Sequence, residues 1–281
     1  AAFALMFLIF MRNPFHLSKW GNRTMNTLAY AAAVALILFQ PYAEGKPFML
    51  KDEDIIMLIL ANVSLTGAVI YLLTPHKPMA RLALIPLLMA FYLSAKTDGS
   101  WQQAMRDFTF APWLYHVAYQ EYLLIIIPGM VAGDLMTRWL KAEYALRAHS
   151  RLRAAPWVAI IALTLIVTNV VCLYSRLVVV NLVLTAALST VLCWLVRGKD
   201  RERTYWRKLC LCGLYMLAMG LLIEACEGGI RKDYVTLSYL FVTGGLAFIA
   251  LLFFTITCDH YHIRWLSEPL ELVGRNPMVA Y

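Results

Sequence analysis

Long apolar runs follow one another along the whole chain and leave little from which a polar surface could be made. They occupy Met25–Phe39, Ile55–Leu73, Leu82–Leu93, Tyr115–Leu135, Trp157–Leu173, Leu177–Leu195, Leu209–Ile223 and Leu237–Ile256. A soluble domain is typically about a quarter charged, whereas 15% of these 281 residues are charged and 61% are hydrophobic. Lipid therefore has to cover the outside, and within lipid every backbone N–H and C=O must be satisfied by the protein itself. The expected fold is all-α, a polytopic transmembrane helix bundle without a soluble domain, a low-complexity tract or a repeat.

The two ends extend the count. Ala1–Met11 is apolar from its first residue but falls short of the about 20 residues that a span takes. It lacks the basic leading region and cleavage site of a signal peptide. It is expected to be the tail of a span that begins upstream, and Met278–Tyr281 the start of one that is cut off. The expectation is about nine spans plus the start of a tenth, in a single transmembrane domain over residues 1–281 truncated at both ends. Tyr174-Ser175-Arg176 is so short a link that the helices on either side should form a tight antiparallel hairpin.

In a soluble protein a net charge of +8 would raise nucleic acid as a partner; here it has to be read loop by loop. The loops Arg12–Arg23, Thr74–Arg81, Thr137–Pro156, Arg197–Lys208 and Asp259–Pro277 hold 18 of the 25 Lys and Arg residues. The alternate set, Gln40–Asp54, Lys96–Pro112, Tyr174–Arg176 and Glu224–Thr236, holds 7. Basic loops stay cytoplasmic, so the first set is expected inside and the second outside.

Polar groups within the apolar layer are costly and point to function. Glu121 lies within its run, about two turns below the Trp113 and Tyr115 belt. Glu224 and Glu227 follow the Leu209–Ile223 run, with Gly228, Gly229, Arg231, Lys232 and Asp233 behind them. All lie at the outer level, so Glu121, Glu224, Glu227 and Lys232 are expected to converge on one outward-opening cavity, while Lys96 is expected in open solvent. The alternative is a solvated loop from Glu224 onward and a paired structural acid at Glu121. Asp134 follows Gly129 and Gly133, a small-xxx-small spacing that lets helices approach closely; otherwise it is an interfacial residue. Pro128 should loosen the same helix.

His260 and His262 form an H-x-H that is too little for a metal site, and no metal is expected. His116, among aromatics, is a possible catalytic base or an interfacial histidine. The six cysteines, including Cys210 and Cys212, suit neither a zinc site nor a redox pair. Nucleophile elbow, phosphate loop, dinucleotide fingerprint and H-E-x-x-H are all absent from the sequence. From the residues alone, a transporter and a membrane acyltransferase fit equally well.

Three segments add a resemblance. Glu227–Ala247 (EGGIRKDYVTLSYLFVTGGLA), Gly274–Tyr281 (GRNPMVAY) and Ala111–Asp134 (APWLYHVAYQEYLLIIIPGMVAGD) resemble the multi-span acyltransferases related to heparan-α-glucosaminide N-acetyltransferase, in a bacterial branch. The resemblance implies transfer of an acyl group from cytoplasmic acyl-CoA, as co-substrate, to a sugar or glycan acceptor on the far side of a bacterial inner membrane. The family's catalytic histidine lies in a loop that this chain does not contain, so no catalytic residue carries over. What carries over is a frame of Gly228, Gly229, Lys232, Asp233, Thr236, Ser238, Tyr239, Asn276 and Pro277. Lys232, Asn276 or Tyr239 would then donate to a developing oxyanion, and Glu121 or Glu227 would hold the sugar. The cytoplasmic basic loops would meet the CoA phosphates. Membrane lipid, acyl-CoA and the glycan are the expected partners, with no nucleic acid and with homo-oligomerisation possible. The competing expectations are a transporter of sugars or small anions and a non-catalytic membrane scaffold.

Overall fold

Each of the eight apolar runs is helical, as the need to satisfy the backbone inside lipid requires. The computed structural model describes residues 5, 8–9, 18–39, 55–75, 77–109, 115–145, 153–198, 200–231 and 235–275. The helices are α1 (Lys19–Phe39), α2 (Ile55–Leu73), α3 (Pro78–Ser94), α4 (Trp101–Asp107), α5 (Leu123–Ala145), α6 (Ala155–Tyr174), α7 (Val178–Leu195), α8 (Arg201–Glu227), α9 (Leu237–Phe254) and α10 (Arg264–Arg275). A 3₁₀ turn, Val117–Tyr122, leads into α5, and a π-helical segment, Thr255–His260, prolongs α9.

Six described segments are long and apolar enough to cross a membrane: Ile55–Leu73, Val117–Lys141, Ala155–Tyr174, Val178–Leu195, Arg201–Glu227 and Leu237–His260. These are the helices of an integral membrane protein. Pro78–Ser94 is apolar but shorter. Ala1–Met11, apart from Leu5, Leu8 and Ile9, and Met278–Tyr281 lie outside the described residues. Large apolar side chains remain uncovered on the span surfaces, among them Trp157, Val179, Val183 and Leu222. In water such a surface would be a liability; hydrocarbon solvates it.

The chain divides into two units, Ala1–Ile59 with Ala111–Tyr115 and Leu60–Phe110 with His116–Tyr281. The first contains α1 and the first turn of α2. In the second, α9 is the centre: it packs on α8, α6 and α5, and Leu237, Leu240, Ile249 and Leu252 on it are fully buried. The α8–α9 contact is backbone on backbone. A Cβ at Gly245 would come within 2.6 Å of Leu217 N and 2.8 Å of Gly213 O, and one at Gly220 within 2.7 Å of Val242 N. Small residues permit this approach, which lets dispersion act where no hydrophobic effect drives helices together. The small-xxx-small pair foreseen at Gly129 and Gly133 does not do this; a Cβ at either would meet nothing within 4 Å.

The α6–α7 hairpin forms as its three-residue link demands. Its glue is polar and wholly buried: Asn181 Nδ2 donates to Asn169 Oδ1 at 3.1 Å, and Asn169 Nδ2 donates to Thr185 Oγ1 at 3.0 Å. Two structural features lay in stretches read only as loops. α4 is capped by Ser100, whose hydroxyl accepts from Gln103 N. α10 puts Trp265, Leu270, Leu272 and Val273 on one arc, with Arg264, Glu268, Glu271 and Arg275 on the other; its apolar arc is exposed.

Replacing Gly245 or Gly220 by Leu should drive α8 and α9 apart, at an overpacking cost of about 1–3 kcal/mol. Alanine at Gly133 should leave stability unchanged. Thermal unfolding of the purified protein in detergent checks both.

Candidate functional site

The C-terminus of α8 and the N-terminus of α9 have to be closed within or beside the apolar layer, and the short connection between them does this with its own side chains. Gly228, at φ 69°, ends α8 in the left-handed conformation, and Gly229 N donates to Glu224 O at 3.3 Å. Gly229 is held at φ 118°, and a Cβ there would lie 2.7 Å from Arg176 Nη1. Both glycines of the E-G-G motif are thus fixed by backbone geometry.

Glu227 closes the next helix. Its Oε1 accepts from Leu237 N at 3.0 Å and its Oε2 from Ser238 N at 2.7 Å. Thr236, the N-cap residue, accepts from Tyr239 N and from the Ser238 hydroxyl. Three amides that α9 cannot satisfy internally are thereby paired, and a carboxylate sits at the positive end of the helix dipole. The Glu227 side chain is 2% exposed and also pairs with Lys96 Nζ, just beyond the end of α3.

Glu121 differs. It lies in the 3₁₀ turn before α5, and its carboxylate makes no hydrogen bond or ion pair among the described residues. Lys96, Glu227 and Arg106 act on its carboxylate through space. Arg106 in turn pairs with Asp107 at 2.9 Å and reaches Ala95 O at 3.4 Å. The Tyr122 phenol stands within electrostatic reach of Glu121 and of Tyr239. One polar layer therefore joins α3, α4, α5, α8 and α9 at the end that the basic-residue bias assigns to the outside. It contains two cations, a committed carboxylate, an uncommitted carboxylate and two phenols.

Of the residues expected to converge, Glu121 and Glu227 come together, and the possible oxyanion donor Tyr239 joins them. Glu224 lies on the same last turn of α8 but toward Arg176 and Gly229. Lys232, Asp233 and Asn276 lie outside the described residues, as does Pro277. Lys96 is exposed and also pairs with a buried acid. One expectation changes. Glu227 is not available to hold a sugar, because its two oxygens are taken by the α9 amides and the Lys96 ammonium. The part played by Lys96 and Arg106 was missed although they are the basic residues of the Lys96–Pro112 loop at the level of Glu121; nothing in their spacing shows which acid they face.

At the opposite end Asp134 is a partner and not merely an interfacial residue. Arg81, fully buried in the first turn of α3, donates from Nη2 to Asp134 Oδ2 at 2.5 Å. Tyr71 OH donates to Asp134 Oδ1 at 3.0 Å, and the Arg81 guanidinium lies 4.7 Å from the centre of the Tyr71 ring. His260, of the H-x-H, has Nδ1 3.1 Å from Glu202 Oε2, tying the π-helical segment to the start of α8. His116 caps the 3₁₀ turn and packs on Tyr119. Among the described residues no cluster of three metal-ligating side chains occurs.

A family model described as a domain of unknown function, DUF5009, matches residues 1–136. The matched stretch carries Lys96, Arg106, Glu121 and Asp134 and stops short of Glu224, Glu227 and Tyr239. No curated protein and no solved structure matches the chain.

Because Glu227 serves the backbone, its removal should unfold the site and not merely change its charge. Glu227→Ala strands two amides at the edge of the apolar layer and should cost about 1–3 kcal/mol for each. Glu227→Gln keeps one acceptor oxygen and should cost less. Unfolding midpoints in detergent give the order: wild type, then Glu227→Gln, then Glu227→Ala. An alanine variant as stable as wild type would contradict the capping role.

Proposed function

We propose that this chain is an integral membrane acyltransferase, moving an acyl group from cytoplasmic acyl-CoA to a sugar or glycan acceptor at the outer end of the bundle. The observation that carries the proposal is Glu121. An acid placed within a membrane-spanning segment and given no hydrogen-bond or ion-pair partner among the described residues is costly unless a ligand or water completes it.

The chemistry of the layer supports the same reading. Glu121 is placed to accept from a sugar hydroxyl or amine and so to fix its orientation. Tyr239 offers a hydroxyl where a tetrahedral intermediate would gather charge. At the other end, the loops between α5 and α6 and between α7 and α8 hold 11 of the 25 Lys and Arg residues, cations that CoA phosphates would meet. The resemblance of Glu227–Ala247 and Ala111–Asp134 to heparan-α-glucosaminide N-acetyltransferase relatives supplies the reaction class. With α1, α3 and the Ala1–Met11 segment added to the six long apolar helices, the proposal counts nine spans, in a bacterial inner membrane.

The test is acyl-CoA-dependent transfer to amino sugars by the purified protein, followed by release of the CoA thiol. Glu121→Gln removes a charge-assisted hydrogen bond worth about 1.5–3 kcal/mol. It should lower kcat/KM for the acceptor roughly 10- to 150-fold and leave the KM for acyl-CoA unchanged. Gradient-driven uptake of a sugar without CoA release would replace the acyltransferase reading with the transporter.

A further inference from the structure

Beneath the charged layer, α3, α5, α8 and α9 enclose a groove of about 510 Å³, a volume in the range of small-molecule sites. Its lining is apolar, with Pro86 on α3, Pro128 on α5 and Phe241 and Phe248 on α9. Met79 and Tyr215, also in its wall, are 77% and 64% exposed, so the groove opens on the lipid-facing side of α3 and α8.

The same four helices carry the charged layer at their outer ends. Lys96 follows α3, Glu121 precedes α5, Glu227 closes α8, and α9 begins beneath the Glu227 carboxylate. At about 1.5 Å per residue, Phe241 lies roughly 6 Å below the start of α9, Pro128 roughly 10 Å below Glu121, and Met79 roughly 25 Å below Lys96. The groove thus comes nearest the polar layer along α9 and α5, lies roughly 15 Å or more below it along α3 and α8, and runs toward the other end of the bundle. A free sugar bound at Glu121 would have no use for it. A molecule with a polar head and a long chain would fill both, entering sideways without taking its chain out of hydrocarbon.

We propose that the acyl acceptor is a membrane lipid, with its head at Glu121, Lys96 and Arg106 and its acyl chain in this groove. This rests on the acyl-transfer reading and assigns the accepting amine or hydroxyl to the head of a membrane lipid. The layer suits such a head: the two cations face a phosphate, and the uncommitted carboxylate faces an amine or hydroxyl. Lys96 retains donors for this, because an ammonium has three and Glu227 uses one. In the reaction the amine or hydroxyl of the head forms a bond to the thioester carbonyl carbon. The carbon–sulfur bond breaks, and the acceptor's proton ends on the CoA sulfur.

The probe is phosphatidylethanolamine with a diazirine in its acyl chain, reconstituted with the full chain in nanodiscs and photolysed. Labels should concentrate on the groove, roughly tenfold above Val179 and Val183 on the lipid face of α7, the ratio a preference of about 1.4 kcal/mol gives. Ala83→Trp, which fills the groove, should abolish that excess while leaving the α7 labelling and the unfolding midpoint unchanged. Leu211→Trp does the same from α8 if the first variant misfolds. Equal labelling of groove and α7 overturns the proposal, since the groove then holds only ordinary boundary lipid. Groove labelling by a diazirine acyl-CoA in place of the phospholipid also overturns it and gives the groove to the donor. CoA release, measured on the same samples, separates the two readings. Groove labelling without release leaves the lipid site standing and removes acyl transfer. Release with free amino sugar equal to that with lipid removes the lipid acceptor.

Discussion

The second unit is organised by one carboxylate. Glu227 is the last residue of α8, yet its oxygens belong to the first two amides of α9 and to the ammonium beyond α3. In water those amides could be left to solvent; at the edge of a hydrocarbon layer they have to be met by the protein. By meeting them, Glu227 fixes where α9 starts relative to where α8 stops. The glycine contacts at Gly213, Gly220 and Gly245 then follow at the depths where backbone meets backbone. The tie to Lys96 draws in α3, and with it the loop that leads to Arg106.

Charge placement along the bundle follows from this. At one end the Arg81 Nη2 pairs with Asp134, and Tyr71 takes the guanidinium over its ring and donates to the acid. At the other, Lys96 and Glu227 are paired. Both ends of α3 are therefore pinned by ions, and Tyr92 OH, donating to Val117 O at 2.8 Å, pins its upper part to the turn before α5. Glu121 sits inside this braced frame without a pair of its own. On the proposed reading this braced site would orient a ligand at its one uncommitted acid, and the close α8–α9 contact would hold that geometry.

Much of the helical framework was legible because apolar length is a direct consequence of spanning lipid: all eight runs became helices, and the short link after Tyr174 became a hairpin turn. Side-chain partners were not legible. Glu227 looked like a substrate-holding acid because a sequence does not show that the next helix begins within reach of it. Lys96 is as exposed as a loop lysine usually is, and the sequence does not show that Glu227 lies within its reach. Gly129 and Gly133 have the spacing of a helix contact but face no helix, while Gly213, Gly220 and Gly245 make one without that spacing. Asn169 and Asn181 vanish among apolar neighbours, although twelve residues across a tight turn is the separation that brings them together. The amphipathic pattern of α10 was visible in principle, with its apolar and polar arcs cleanly parted, but it is too short and too polar overall to register as a span.

The central claim is that the Glu121 layer faces the side opposite the basic loops. It is tested most directly by impermeant thiol labelling of intact cells, in a background without native cysteines. A cysteine at Thr97, in the exposed turn beside Lys96, should be labelled from outside. One at Asp200, exposed ahead of α8, should be labelled only after permeabilisation. Labelling of Asp200→Cys and protection of Thr97→Cys in intact cells would place the site on the cytoplasmic face and contradict the account.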